Sequence, residues 1–229
     1  MSSGVWAKSL GKPDVFKNDR EPMFGSGLVM VEGDDWVHHR HVITLAFSPS
    51  NLKAMASLMV ESVTKMLDRW ATLKNSDKLE IDVEREITIT AGEIIASTSF
   101  GLSYRDGSRV FEKLQAMQNI LFNSNRYVGV PFSKWICPKK TLEAKRLDKE
   151  IDQLLLSIID ARKSCWDGSS LQNDLLGLLM DGDDQAGMSL TTKELVDECK
   201  TFFFGGHETT ALSLTWTLLL LAMYPDWQN

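Results

Sequence analysis

One stretch near the end of the chain limits the possible folds more than any other. Thr191 is followed three residues later by Glu194, which is the spacing of a capping box at the start of a helix. Apolar side chains then recur at helical spacing until Pro225 interrupts the pattern. The pattern predicts one helix over residues 191–223, roughly 50 Å long at 1.5 Å per residue. A helix of that length spans a whole domain.

The middle of this predicted helix departs from ordinary helix composition. Gly205 and Gly206 each cost about 1 kcal/mol relative to alanine, and His207, Glu208 and Thr209 then stand between two apolar runs. Paired glycines let a flat, bulky group approach the backbone, and a carboxylate and a hydroxyl beside it could pass protons. The alternative is a glycine-kinked core helix whose threonines bond back to their own backbone. From the residues alone, both interpretations remain open.

A second feature lies far upstream, where Trp36 and Arg40 are four residues apart on a predicted helix over residues 36–47. Four residues place both side chains on one face, where an indole N–H and a guanidinium can clamp a carboxylate. A surface cation–π contact is the simpler alternative. His38, His39 and His41 raise a metal hypothesis, but no cysteine lies nearby in sequence and zinc needs a defined set of four ligands, so we favour a solvated basic face.

These two features together resemble the cytochrome P450 family. The segment GGHETT is similar to the family's oxygen-activation motif on the long I helix, and WVHHR is similar to its C-helix Trp-x-x-x-Arg motif. The order of the two motifs is that of the family. The flanks ECKTFFFGGHETTALSLTW resemble the plant clan that includes cytokinin hydroxylases, and EIDVEREITITAGEIIASTSFG resembles the family's E helix.

The resemblance implies a mainly α fold: one partial cytochrome P450 domain over residues 1–229, covering helices C to I without the C-terminal haem-thiolate region. It implies that Thr209 helps to protonate dioxygen, that Glu208 relays protons, and that Gly205 and Gly206 leave room over the haem. Trp36 and Arg40 would hold a haem propionate. The implied cofactor is haem b, with electrons from NADPH through a cytochrome P450 reductase, and the implied substrate is a hydrophobic small molecule. The implied location is the cytosolic face of the endoplasmic reticulum membrane, through an anchor absent from these residues.

The remaining sequence predicts further helices separated by loops. We expect helices over residues 49–72, 84–100, 107–124, 139–162 and 173–180, and loops over 1–35 and 125–138. Asp34 or Asp35 is the expected cap of the helix over 36–47. The stripe on the helix over 49–72 is expected to be core: Leu52, Met55, Met59, Val63, Met66 and Trp70. The glycine-rich segment GSGLVMVEG lacks the spacing and the βαβ context of a nucleotide loop.

Composition narrows the function classes. The 229 residues carry a formal net charge of −6, which disfavours nucleic acid as a partner. Cys137, Cys165 and Cys199 have neither disulfide nor zinc spacing, and none lies in the family's Phe-x-x-Gly-x-Arg-x-Cys-x-Gly loop, so we assign no metal ligand. No apolar stretch is long enough to span a membrane.

The motifs and the resemblance leave three hypotheses. The first is a haem-thiolate monooxygenase of which this is a fragment. The second is a catalytically inactive truncated helical protein that binds a hydrophobic ligand or partner, and the third is an unrelated all-α domain.

Overall fold

The computed structural model describes residues 11–75, 80–102, 104–122, 138–164, 174–181 and 189–228, and within them the regular structure is helical. The predicted loop over 125–138 lies almost wholly outside the described residues. The helices, in chain order, are α1 (Asp14–Phe24), α2 (Gly33–Ala46), α3 (Pro49–Asn75), α4 (Val83–Phe100), α5 (Tyr104–Phe122), α6 (Pro138–Ser164), α7 (Leu175–Asp181) and α8 (Thr192–Met223), followed by a 3₁₀ turn (Pro225–Gln228).

The long helix α8 is present as the sequence predicts, and most of the other described helices contact it. Thr191 caps it: the Thr191 hydroxyl accepts from the Glu194 N–H at 3.3 Å, and Glu194 Oε2 accepts from the Thr191 N–H at 2.7 Å. The helix continues without interruption through Gly205 and Gly206 to Met223. Helix α4 lies along it, and α1, α5, α6 and α7 also contact it.

The core lies around the first half of α8. Phe203 stacks on Phe100 of α4 with ring centroids 4.3 Å apart, and Phe111 of α5 meets it edge-on at 4.7 Å. Cys199 and Leu195 are buried one and two turns earlier on α8, respectively. This aromatic and aliphatic cluster holds three helices together and fixes the glycine pair just beyond Phe203.

The second half of α8 is different, because most of its apolar side chains are exposed. The exposed residues are Leu212, Leu214, Trp216, Leu218, Leu219, Leu220 and Met223. Apolar patches of this size are uncommon on monomers and mark surfaces that another segment or partner covers. None of the described helices is long and apolar enough to cross a bilayer.

Helix α3 corrects the predicted core stripe. Met55 is buried as expected, but Leu52, Met59 and Val63 are exposed. Among the described helices, α3 packs substantially only against α4, so only one side of it is covered. Helical periodicity predicts an apolar face without showing what covers it.

Helix α1 corrects the predicted loop over residues 1–35. Met23 and Phe24 are buried, and the Phe24 ring meets Phe204 of α8 edge-on at 5.1 Å. Pro22 lies within the helix, so this packing outweighs the local cost of proline. The expected cap at Asp34 or Asp35 is also wrong: the residue before α2 is Glu32, and it makes no side-chain cap.

Candidate functional site

The two glycines of α8 face different surroundings. A Cβ on Gly205 would meet nothing within 4 Å, whereas a Cβ on Gly206 would overlap the side chain of Ile95 on α4. Gly206 therefore permits close packing of two helices, and Gly205 leaves an open strip of backbone. Room beside the helix, expected from both glycines, is found at Gly205.

Thr209 lies on the same open side as Gly205, one turn later. Its hydroxyl donates a 2.7 Å hydrogen bond to the Gly205 carbonyl, and the residue is exposed. This is the back-bonding that the structural alternative predicted. It also anchors an accessible hydroxyl beside the glycine gap. We call Gly205 and Thr209 the open stripe of α8.

Glu208 points to a different side of the helix from Thr209. Its carboxylate accepts a hydrogen bond from the Gln118 amide of α5 and borders a cavity of about 120 Å³ between α4, α5 and α8. Adjacent helix residues project about 100° apart, so the two side chains are not neighbours. The structure therefore brings Thr209 to the open stripe and Glu208 to the cavity behind it.

His207 shares this cavity with Glu208. Its Nε2 donates to the Thr88 carbonyl of α4 at 3.1 Å, and its ring lies 4.8 Å from that of Phe111. Burial lowers the pKa of His207, which favours the neutral imidazole. His207 thus links α8 to α4 at the glycine pair. Its acceptor is a backbone carbonyl 119 residues earlier, so no local pattern indicates this role for His207.

Trp36 and Arg40 lie on one exposed face of α2, as their spacing predicts. Within the described part of the chain, the Arg40 guanidinium has no ion pair. The cation–π contact found there joins Arg20 and Phe122, not Arg40 and Trp36. An unpaired arginine beside an exposed indole suits a ligand carboxylate. With the open strip of backbone at Gly205, these residues fit a flat cofactor that carries carboxylates.

His39 corrects the predicted solvated face of α2. His41 is exposed, but His39 is buried and its Nδ1 lies 2.6 Å from Glu198 Oε1 on α8. The hydrogen bond to Glu198 raises the pKa of His39 against the opposing effect of burial. His39 is therefore a buried partner of α8.

Lys200 is the centre of a second buried cluster on α8. Its ammonium lies 2.8 Å from Asp148 and 2.5 Å from Asp152, both on α6, and 3.6 Å from Asp197. The cluster links α8 to α6. Its two partners on α6 are about 50 residues away in sequence, so local pattern could not reveal the link.

The cysteines supply no available thiolate in the described residues. Cys199 is fully buried, and burial raises the pKa of its thiol far above the usual range. A neutral, enclosed thiol is a poor metal ligand. Cys137 and Cys165 lie outside the described residues.

Comparisons with known proteins show the family of the chain. The sequence model of the cytochrome P450 family matches residues 5–229. Two cytokinin hydroxylases of Arabidopsis thaliana are 38% and 39% identical over 96% and 99% of this chain, and over 43% and 44% of their own lengths. An echinocystic acid 23-monooxygenase of Saponaria officinalis is 34% identical over 93% of this chain and 43% of its own length. The chain thus spans less than half of these relatives. On this evidence the chain belongs to the cytochrome P450 family.

Proposed function

We propose that this chain is part of a haem-thiolate monooxygenase that inserts one oxygen atom from O₂ into a hydrophobic small molecule. The observation that carries the proposal is the open stripe of α8. There the position of a Gly205 Cβ is free of neighbours, and an exposed Thr209 hydroxyl is anchored to the Gly205 carbonyl. A core helix with only a structural role would not leave a glycine and a hydroxyl exposed between two apolar runs.

Trp36 and Arg40 would hold the haem b, and Gly205 would leave space for it. The Arg40 guanidinium offers a fixed charge and the Trp36 indole an N–H, both suited to one propionate. Bound haem supplies the iron centre at which dioxygen is reduced. The chain itself would orient the haem at its edge through Trp36 and Arg40 of α2. Helix α8 would present the Thr209 hydroxyl to it.

We assign proton transfer to Thr209 and Glu208. Thr209 Oγ1 holds its proton against the Gly205 carbonyl, which keeps the hydroxyl oxygen in place as an acceptor. Glu208 is held by Gln118 at the cavity, where it can exchange a proton with water. Because the two side chains point to different sides of α8, a proton passing between them must be carried by water or by a turn of the Glu208 side chain.

The substrate class and the partner are also proposals. Two of the relatives are named cytokinin hydroxylase, which supports a cytokinin-like or other isoprenoid or hormone-like substrate. The electrons would come from NADPH through NADPH–cytochrome P450 reductase. The working location would be the cytosolic face of the endoplasmic reticulum membrane.

The direct test is Thr209→Ala in the protein expressed from the complete transcript, supplied with NADPH, reductase and a cytokinin-type substrate. We expect NADPH consumption to continue while product falls by about 100-fold, the lower range for a positioned proton donor. The missing product should appear as peroxide. NADPH consumed, peroxide and product are measured in the same reaction.

Thr209→Ser is the matched control, because it keeps the hydroxyl and removes one methyl group. It should retain most of the coupling between NADPH and product. If Thr209→Ala forms product as efficiently as the wild type, the role assigned to Thr209 is wrong.

For residues 1–229 by themselves, a second candidate is a non-catalytic helical protein that binds a hydrophobic ligand or partner. The exposed apolar side of the second half of α8 favours it, together with the enclosed state of Cys199. Residues 1–229 by themselves should then form no product in the reaction described above.

A further inference from the structure

The strongest unassigned feature is the buried contact between His39 of α2 and Glu198 of α8. Both residues are at most 1% exposed, and Nδ1 of His39 lies 2.6 Å from Glu198 Oε1. On the other side of the ring, Nε2 lies 3.5 Å from Oε1 of Glu194. A single imidazole therefore joins α2 to the first two turns of α8.

The same carboxylate also holds the turn that leads into α2. Glu198 Oε1 accepts the Leu28 N–H at 2.6 Å, and the neighbouring Asp197 accepts the Ser26 N–H at 2.8 Å. Gly25 has a φ of +50°, and a Cβ there would overlap the Asp197 carboxylate. The glycine-rich turn thus wraps two carboxylates of α8, so both the entry to α2 and its middle are tied to the same helix.

Stability alone explains the Glu198 carboxylate poorly. Its second oxygen, Oε2, is buried and lacks a hydrogen-bond partner among the described residues. Unpaired buried oxygens are costly, and buried ion pairs are often no more stabilising than apolar side chains of the same size. Fixing register between two elements is the best-attested use of such a pair.

The positions of these residues on their helices indicate which register is fixed. Gly205 and Thr209 follow Glu198 by seven and eleven residues, which places all three within about 20° of one line along α8. On α2, Trp36 and Arg40 both lie to one side of His39, at about 60° and 100° around the helix. Holding His39 against Glu198 therefore fixes the rotation of α2 and the direction of the Trp36–Arg40 face relative to the open stripe.

We propose that Glu198 and His39 are positioning residues that hold the Trp36–Arg40 face of α2 in fixed register with the open stripe of α8. The haem-related consequence rests on the proposed function. The register itself does not, because it is a property of two helices and can be measured without any cofactor.

The register is tested by a distance measurement on the 229-residue chain. Spin labels are placed on exposed positions of α2 and α8, at Val37 and Ser213, with Cys137 and Cys165 replaced by serine. Pulsed electron resonance then gives the distribution of label-to-label distances. We expect Glu198→Gln and His39→Ala to shift or broaden this distribution.

Two further variants make the result specific. His39→Asn puts an amide nitrogen near the place of Nδ1 and should restore most of the wild-type distribution. His207→Ala removes a different histidine link of α8, the one to α4, and should leave the α2–α8 distance unchanged. An unchanged distribution in folded Glu198→Gln and His39→Ala would overturn the proposal. If either Glu198→Gln or His39→Ala fails to fold, the distance distribution of the other variant tests the proposal.

A second experiment tests the haem-related consequence. It uses the protein from the complete transcript and measures the rate at which haem transfers to an apo-globin acceptor. We expect transfer from Glu198→Gln to be about tenfold faster, the weaker end of what one hydrogen bond to a charged group contributes. Altered distances with unaltered haem transfer would overturn the haem-positioning role. Absence of haem in the wild type would instead overturn the proposed function, and the distances would still judge the register.

Discussion

Gly205 and Gly206 are adjacent in sequence, yet their substitution by alanine has opposite expected effects. At Gly205 a methyl group meets open space, so Gly205→Ala should stabilise the helix by about 1 kcal/mol. At Gly206 the methyl group meets Ile95, and an overpacking cost of about 1–3 kcal/mol outweighs the same gain. Urea unfolding of the two variants provides the comparison. Equal unfolding midpoints would contradict the close contact between α8 and α4.

His39 gives the protein a specific dependence on pH. The bond to Glu198 raises the pKa of His39 above its usual 6.5, so the folded state holds the proton more tightly than the unfolded state. This stabilisation is complete below pH 6.5 and is lost as the pH rises through the folded-state pKa. The charged or titratable groups facing the ring are Glu198, Glu194 and His38.

The matched variant for this pH dependence is His39→Asn, which keeps a donor but cannot titrate. The wild type should lose free energy of unfolding relative to His39→Asn between pH 6 and pH 9. Denaturant unfolding at both pH values gives the difference. A difference that stays constant would contradict a raised pKa of His39 in the folded protein.

At the scale of elements, α8 depends on its first turn. Thr191→Ala removes the cap and should lower the free energy of unfolding by about 1 kcal/mol. Thr210→Ala, at an exposed position in the interior of the same helix, is the control and should change stability little. Hydrogen exchange should show the loss first in residues 192–195. Equal effects of the two substitutions would argue against the capping box.

Elements were predictable where their own residues carried the signal. The cap of α8 and the termini of α4 follow from residues within a few positions of each helix end, at Thr191 and at Gly101, which adopts a left-handed conformation. Helix α1 was missed because Pro22 and the nearby glycines suggest a loop, while its stability comes from Phe204, 180 residues later. The stripe of α3 was judged to be core because periodicity does not show which helices are present to cover it.

The site was predictable in the same uneven way. Trp36 and Arg40 share one face of α2, as their four-residue spacing predicts, but only the structure shows that this face and Thr209 are exposed. The links of His39 to Glu198, His207 to Thr88 and Lys200 to Asp148 span 159, 119 and 52 residues. Only the folded chain brings these partners together.

At the scale of the molecule, these 229 residues contain an open stripe and a free arginine face but no available thiolate in the described residues. We therefore expect the isolated chain to bind haem weakly and to form no thiolate complex. After reduction under carbon monoxide, its absorption should lack the band for which the family is named. Appearance of that band would show that one of the three cysteines reaches the iron.

Cys199 has a consequence of its own. The thiol is enclosed between helices and kept protonated by its surroundings, so reagents in solution do not meet it while α8 stays packed. It lies in the same turn of α8 as Glu198, at the point where the core and the α2 link meet. Cys199 is therefore a natural probe of the core, because it becomes alkylated only when this part of the protein opens.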